Sequence, residues 1–208
     1  MIAIVDYGAG NLTSVKLAFD ALGADTRITA SASVIRTAER VVFPGVGAAG
    51  SAMKNLRKLK LAGVLGEVVE RGTPFLGICL GTQIILDRSE EDGGTDCLGL
   101  VRGTVKLFMP RSARTKVPHM GWNSVQFLRR HPVLKGIRTD SEFYFVHSYY
   151  PAPAVHGDVV GQTAYAGRRF AAIMGRANLV AVQFHPERSG RIGLKLLENF
   201  CKWTGGTC

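Results

Sequence analysis

The sequence lacks long apolar runs. No stretch approaches the roughly 20 uninterrupted apolar residues that a transmembrane helix needs, so we expect no membrane partner. The opening residues, MIAIVDYG, carry neither a basic segment nor a cleavage site, and they predict a first β-strand rather than a signal peptide. These two absences predict a cytoplasmic protein.

Metal-binding spacings are also absent from the sequence. The four cysteines form no CxxC pair, and the five histidines form no HxH or HExxH pair. In a reducing compartment such cysteines are free thiols. We therefore expect no disulfide and no metal site for Cys79, Cys97, Cys201 and Cys208.

The one unusual feature of the composition is an excess of positive charge, which gives a net charge of +10. The basic residues are dispersed, in segments 54–60, 111–116 and 168–169, and aromatic residues that could stack on bases are not interleaved with them. This pattern favours a solvated surface, or a field that steers an anionic substrate or partner, over nucleic-acid binding. A nucleic-acid binder would show steeply salt-dependent retention on DNA.

The first half of the chain alternates strands and helices, which predicts parallel strands joined by right-handed crossovers. Asn11 is the expected cap of the first helix and Gly23 its stop, while Ser189 is the expected cap of the last helix. The length of 208 residues fits one α/β domain spanning residues 1–208. Strands are predicted at 2–7, 40–45 and 73–79, and helices from 12 to 22, from 48 to 71 with a possible break at Gly63, and from 80 to 88.

The second half changes character. Short β-like runs separated by turn residues predict an antiparallel or mixed extension of the sheet. These runs lie at 100–108, 115–127, 141–150, 157–165, 168–174 and 178–184.

The segment GVGAAG, residues 45–50, matches the dinucleotide-binding pattern G-x-G-x-x-G. That pattern requires an acidic residue about 20 positions further on, at the end of the next strand. Here this distance reaches Glu67 and Glu70 in a helical stretch, so the pattern does not favour a nucleotide cofactor. The loop can still present backbone N–H groups to a carbonyl oxygen, or be a tight turn without a ligand.

The segment GICLG, residues 77–81, has the form of the nucleophile elbow G-x-S-x-G with cysteine in place of serine. A cysteine at a helix N-terminus is activated by the positive end of the helix dipole. The N–H of Leu80 can then form half of an oxyanion hole. The alternative interpretation of Cys79 is a buried structural residue.

The segment VAVQFHPERS, residues 180–189, supplies a base and an orienting group. Alternate residues of an extended segment face the same side, so Glu187 can hold one nitrogen of His185 while the other faces a thiol. Both this segment and GICLG end predicted strands, and the carboxyl edge of a parallel sheet is where such folds place their sites. Alone, the HPE sequence favours a surface turn.

These motifs carry a resemblance to a known family. PGVG, GICLGTQ and HPE, in this order and at these intervals, resemble the class I (triad) glutamine amidotransferases. VDYGAGNLTSV, PHMGWN and FYFVHSYY are similar to segments of the glutaminase subunits of imidazole glycerol phosphate synthases within that class. The resemblance covers essentially the whole chain. It implies a flavodoxin-like α/β fold with a mixed, mostly parallel sheet flanked by helices.

The resemblance also implies a reaction without a metal or organic cofactor. Cys79 would attack the side-chain amide of glutamine, His185 would transfer the proton, and Glu187 would orient the imidazole. The oxyanion hole would use the Leu80 N–H and an amide of the loop containing Val46 and Gly47, which in this family must flip first. Contacts to the substrate glutamine are implied for Gln83, Glu91, Ser148 and Tyr149, with Glu91 near the α-amino group.

A partner is implied as well. In the family, the surface around Asn11, Trp122 and Asn123 faces a (β/α) barrel cyclase, which would form a heterodimer with this chain and receive its ammonia. A paralogue that serves another synthase, for instance in polysaccharide amidination, is an alternative. A non-catalytic binding protein with an inert Cys79 is another.

Overall fold

The computed structural model describes residues 1–110 and 115–206. Within them the chain forms thirteen strands and six α-helices. The strands are β1 (Ile2–Val5), β2 (Thr26–Thr29), β3 (Arg40–Gly45), β4 (Phe75–Cys79), β5 (Arg88–Ser89), β6 (Thr95–Asp96), β7 (Gly103–Leu107), β8 (His119–Phe127), β9 (Ser141–His147), β10 (Tyr149–Pro153), β11 (Val159–Tyr165), β12 (Arg168–Arg176) and β13 (Leu179–Val182). The helices are α1 (Leu12–Asp20), α2 (Ala32–Thr37), α3 (Ala49–Lys58), α4 (Leu61–Glu70), α5 (Leu80–Ile84) and α6 (Gly190–Lys202).

Nine strands form the large sheet, in the order β2-β1-β3-β4-β13-β12-β11-β8-β9. Parallel pairing joins β2, β1, β3, β4 and β13, and antiparallel pairing joins β13, β12, β11, β8 and β9. The α/β class and the mixed sheet are therefore as expected, although parallel pairing covers half of the large sheet rather than most of it. A second sheet has the order β10-β7-β5-β6.

Two apolar cores cover the two faces of the large sheet. Helices α1 and α6 lie on one face, where their fully buried side chains are Val15, Phe19, Leu196, Leu197 and Phe200. Helices α2, α3, α4 and α5 lie on the other face, with buried side chains that include Ile35, Leu56, Leu65, Val68 and Ile84. Strands buried on both faces read as continuous apolar runs, which explains sequences such as RVVFPG.

Three neighbouring parallel strands end at one edge of the sheet. Gly45 at the end of β3 pairs with Cys79 at the end of β4, and Ile78 pairs with Val182 at the end of β13. The segments that follow these strands, which contain GVG, the start of α5 and HPE, therefore converge at this edge.

Several sequence predictions of helices and strands need correction. The pair β2 and α2 was not predicted, and the helical stretch 48–71 breaks at Leu59–Lys60, where Lys60 has a φ of 57°, instead of at Gly63. Helix α5 ends at Ile84, four residues before the predicted end at 88. The predicted run 141–150 divides at Ser148, which bends the chain from the large sheet into the small one.

Neither of the two residues predicted to cap a helix does so through its side chain. Asn11 precedes α1 in the left-handed region, with a φ of 74°, and within the described residues its side chain makes no cap hydrogen bond. Ser189 precedes α6, but its hydroxyl donates to His185 O at 2.7 Å and accepts from Tyr144 N at 3.0 Å. Both side chains are instead held by the segment around His185.

The remaining expectations concern cysteines, charges and membranes. Cys79, Cys97 and Cys201 are free thiols. Cys208, Arg111 and Arg114 lie outside the described residues. In the part of the chain that the structure describes, no helix combines the length and apolar character needed to cross a membrane.

Candidate active site

Cys79 lies at a strained turn between β4 and α5. Its φ of 52° and ψ of −107° are unusual for a residue with a side chain, and such conformations typically cost about 1–3 kcal/mol. Of the glycines beside it, Gly81 is required by close packing and Gly77 is tightly packed. A Cβ at Gly81 would lie 1.8 Å from Phe43 O, and a Cβ at Gly77 would lie 3.2 Å from the Cβ of Ala181. The turn has the features of a nucleophile elbow.

His185 and Glu187 form a buried pair beside this turn. Glu187 Oε1 lies 2.7 Å from His185 Nδ1, and the two side chains are 2% and 0% exposed. Burial alone would lower the pKa of His185, but the charge of Cys79, together with the hydrogen bond and charge of Glu187, outweighs burial and raises it. His185 Nε2 has no hydrogen-bond partner among the described residues, so this nitrogen can exchange a proton with a reacting group.

Asn11 contacts both members of this pair. Its Nδ2 donates to Glu187 Oε1 at 2.6 Å and lies 3.4 Å from His185 Nδ1. The Asn11 side chain, expected at a partner interface, is thus engaged by the carboxylate that orients the imidazole. The Asn11 backbone is left-handed, and its side chain contacts Glu187 instead of capping α1.

Two residues beside Cys79 were missed by the sequence analysis. Gln183 is fully buried, and its Nε2 donates towards Cys79 Sγ at 3.7 Å. Tyr7 is 1% exposed, and burial, followed by the charge of Cys79, raises the pKa of its phenol. Gln183, His185 and Glu187 are spaced two residues apart, and that spacing is the signal that could have identified Gln183. The structure corrects the predicted conformation, however, because Pro186–Arg188 form a 3-10 turn instead of continuing the extended segment.

The expected oxyanion groups lie next to Cys79. Leu80 is the first residue of α5, so its N–H is one of the first-turn donors that have no partner within the helix. The loop after β3 follows Gly45, whose added Cβ would lie 1.9 Å from the Tyr7 hydroxyl. In this loop Val46 is 39% exposed, and Gly47 has a φ of 104°, which favours glycine.

The four expected substrate residues are near the same edge, on different elements. Gln83 lies on α5 and is 5% exposed, and its Nε2 donates to Tyr149 O at 2.9 Å. Ser148 forms the bend before β10, and Tyr149 begins that strand. Glu91 Oε2 accepts a hydrogen bond from Ala49 N at 2.6 Å, at the start of α3. One carboxylate oxygen of Glu91 is thus already engaged.

The contact of Glu91 also bears on the glycine pattern 45–50. A dinucleotide would place its pyrophosphate at the N-terminus of the helix that follows the glycines. Here that helix is α3, and the Glu91 carboxylate binds its first N–H. A negative charge at this position argues against a nucleotide site, in line with the sequence analysis.

The expected interface residues differ in exposure. Trp122 is 54% exposed, and Met120, two residues earlier on β8, is 64% exposed. The Asn123 side chain, in contrast, donates to Ala164 O at 3.0 Å and lies 3.3 Å from His119 Nε2. Within residues 1–110 and 115–206, no three His, Cys, Asp or Glu side chains are placed to hold a metal ion.

Comparison with known proteins identifies the family. A family model for the class-I glutamine amidotransferases matches residues 3–203. The chain belongs to this family. The amidotransferase is 51% identical over 208 residues to the imidazole glycerol phosphate synthase subunit HisH of Nitratidesulfovibrio vulgaris strain DP4, covering 98% of this chain and 96% of that protein. It is 47% identical over 206 residues to the corresponding subunit of Nitrosococcus oceani, covering 98% of both.

Solved structures share the fold of the amidotransferase at low identity. A crystal structure described as a glutamine amidotransferase has a TM-score of 0.75 at 16% identity, covering 97% of this chain and 98% of that one. A chain of PurLQS from Thermotoga maritima has a TM-score of 0.74 at 18% identity, covering 97% of both. These likenesses confirm the fold class.

Proposed function

We propose that the chain, as one glutaminase domain, is the glutaminase subunit of imidazole glycerol phosphate synthase. It hydrolyses glutamine to glutamate and ammonia with Cys79 as the nucleophile. The observation that carries this proposal is the strained turn that presents Cys79 beside the buried pair of His185 and Glu187. The full-length identity of 51% to a synthase subunit supports the choice of synthase.

The first half of the reaction releases ammonia. Cys79 Sγ gives its proton to His185 and attacks the side-chain amide carbon of glutamine, and the C–N bond breaks as His185 passes that proton to the leaving nitrogen. The products are a γ-glutamyl thioester and ammonia. In the second half, His185 takes a proton from water as the water attacks the thioester, which releases glutamate and restores the thiol–imidazole pair.

Glu187 and Asn11 keep the imidazole in the required orientation. The carboxylate accepts from His185 Nδ1, so the proton that moves during the reaction is the one on Nε2. The Asn11 amide, which donates to the same carboxylate oxygen, restrains the carboxylate without adding a second charge.

The negative oxygen of the tetrahedral intermediate needs two donors. The N–H of Leu80 is one, because it is a free first-turn donor directly after the nucleophile. An amide of the loop containing Val46 and Gly47 is the other, after a flip of that peptide. The freedom of Gly47 at positive φ makes such a flip possible at low cost.

Binding of glutamine is assigned to the side chains around α5. Gln83 follows the nucleophile by one helical turn, and Ser148 and Tyr149 form the facing bend. Glu91 has one oxygen left for the α-amino group of the substrate. A positive ammonium beside it would offset the burial that raises the pKa of Glu91.

A partner must receive the ammonia, because ammonia released into water is protonated and diluted. We assign this role to a (β/α) barrel cyclase that makes imidazole glycerol phosphate and an aminoimidazole carboxamide ribotide in histidine biosynthesis. The exposed apolar residues Met120 and Trp122 on β8 support a docking face on that strand, and Val46 is a further exposed apolar residue on the oxyanion loop.

The experiment is glutamate release from glutamine by the purified chain, alone and with its cyclase and the nucleotide ligand of the cyclase. We expect strong stimulation by the complex, and none with Cys79→Ala. Activity with a different synthase only would keep the chemistry and change the pathway. No release under any condition would refute the proposal and favour a binding protein.

A further inference from the structure

A line of buried polar groups begins at β8, next to the exposed Trp122. Asn123 Nδ2 lies 3.3 Å from His119 Nε2, and His119 Nδ1 lies 3.1 Å from His147 Nε2. His147 Nδ1 then lies 2.7 Å from Tyr149 O. His119 and His147 are 3% and 6% exposed, so these contacts are shielded from solvent.

The carbonyl group of Tyr149 at one end of this line determines which atom is the donor in each hydrogen bond. The carbonyl of Tyr149 can only accept, so His147 Nδ1 carries a proton. In the neutral ring His147 Nε2 is then an acceptor, which places a proton on His119 Nδ1 and leaves His119 Nε2 to accept from Asn123. The second proton of the Asn123 amide is held by Ala164 O, which fixes the orientation of that amide.

Both histidines are neutral because of their surroundings. His119 is stacked between Tyr165 and Phe145, with ring centroids 3.9 Å and 4.9 Å apart. Burial lowers the pKa of His119 to about 4 and that of His147 to about 3. The donor and acceptor assignments given above require both imidazole rings to be neutral.

The line continues from Tyr149 to the nucleophile. Gln83 Nε2 donates to the same Tyr149 carbonyl at 2.9 Å and to Gln183 Oε1 at 3.0 Å. Gln183 Nε2 then donates towards Cys79 Sγ at 3.7 Å. Both protons of the Gln83 amide are used, so its Oε1 is the atom that remains for the substrate.

We propose that Gln183, His119 and His147 are positioning residues of the glutaminase site. The two histidines hold the Tyr149 peptide, this peptide and Gln183 hold Gln83, and Gln183 directs an N–H at the sulfur of Cys79. The inference rests on the proposed glutaminase function for its kinetic consequences, whereas the proton positions follow from the hydrogen bonds alone.

The first test is ¹⁵N NMR of the histidine side chains in the full chain at neutral pH. We expect His119 and His147 as neutral rings protonated at Nδ1. His131 is the internal control, because its Nδ1 accepts from Val133 N at 3.3 Å, so its proton lies on Nε2. Nε2 protonation of either His119 or His147 would overturn the inference.

The second test separates binding from turnover in the complex with the cyclase. His119→Phe preserves the aromatic stack and removes the donor to His147, and we expect KM for glutamine to rise about fivefold with little change in kcat. Gln183→Met removes the donor to the sulfur, and we expect kcat to fall about tenfold with KM nearly unchanged. His131→Phe, a change at an equally buried histidine outside the line, should alter neither constant.

The outcomes distinguish this inference from the proposed function. A wild-type complex that releases glutamate, with variants whose KM and kcat equal those of wild type, would refute the positioning roles and leave the function intact. A wild-type complex that releases none would refute the function, and the ¹⁵N measurement would still decide the proton positions.

Discussion

His185 and His147 lie near each other at the same edge of the sheet, are both buried, and have opposite charge preferences. His185 Nδ1 meets the Glu187 carboxylate, and the pKa of this histidine is raised. His147 Nδ1 meets the Tyr149 carbonyl, which opposes burial only in part, and the pKa falls to about 3. The difference indicates that the charged neighbours of a buried histidine, here Cys79 and Glu187, rather than burial itself, decide which histidine can serve as a proton carrier.

The largest expected effect comes from removing the carboxylate that distinguishes the surroundings of His185 from those of His147. Glu187→Gln replaces the carboxylate beside His185 with a neutral amide, which removes the charge that favours the protonated imidazole. We expect glutamate release by the complex to fall roughly a thousandfold or more, as for the comparable change in other triads. Steady-state assay of glutamate release measures this.

Glu198→Gln is the matched control for that change. Glu198 is on the surface of α6, where it pairs with Lys195 and Lys202. The same chemical change there should leave the rate within about twofold of wild type, since surface pairs contribute little. Equal loss in both variants would show that the effect of Glu187→Gln is not local to His185.

A smaller effect concerns stability in acid. The pKa values of about 4 and about 3 for His119 and His147 lie below the value of about 6.5 for the unfolded chain, so the unfolded state binds more protons in between. The two histidines make their full contribution to the free energy of unfolding above about pH 6.5, and this contribution is lost as the pH falls towards about 4. His185 acts in the opposite direction, because its raised pKa favours the folded state at low pH.

Urea unfolding between about pH 7 and pH 5 isolates the share of one histidine. We expect the acid-induced loss in the free energy of unfolding to be about 2 kcal/mol smaller in His119→Phe than in wild type. An identical loss in both proteins would mean that His119 already titrates normally in the folded state.

The smallest expected effect is that of Asn11→Ala. The variant removes the amide that donates to Glu187 Oε1 at 2.6 Å but keeps the carboxylate. A hydrogen bond to a charged group is typically worth about 1.5–3 kcal/mol, so we expect about a tenfold lower kcat. The interface role expected for Asn11 predicts weaker binding of the cyclase instead, and titration of the cyclase distinguishes the two effects.

Sequence reasoning brought Cys79, His185 and Glu187 to one edge because each motif follows a buried apolar strand. The register of β4 and β13 shows the same adjacency. The pair β2 and α2 could not be predicted in the same way. The residues of β2, TRIT, lie at the edge of the sheet and are mostly polar, so they give little apolar periodicity.

The line from Asn123 to Cys79 was also out of reach of the sequence. His119 and His147 are 28 residues apart, and Gln183 and Cys79 are 104 apart. Their contacts depend on the pairing of β8 with β9, where His119 lies directly opposite His147, and the order of the antiparallel strands was not predictable. The contact between Asn11 and Glu187 was not predictable either. The position of Asn11 directly before a helix favours a helix cap, and only the fold brings Glu187 next to it.

The most direct test of the account compares the cysteines with each other. Iodoacetamide labelling of a Cys208→Ser protein at neutral pH, followed by peptide mapping, gives the rate at Cys79, Cys97 and Cys201. Burial raises the pKa of Cys97 to about 11 and also raises that of Cys201, so these thiols should react slowly. We predict labelling of Cys79 at least about tenfold faster, and a loss of this advantage in Glu187→Gln. Labelling of Cys79 no faster than that of Cys97 would contradict an activated nucleophile at the turn between β4 and α5.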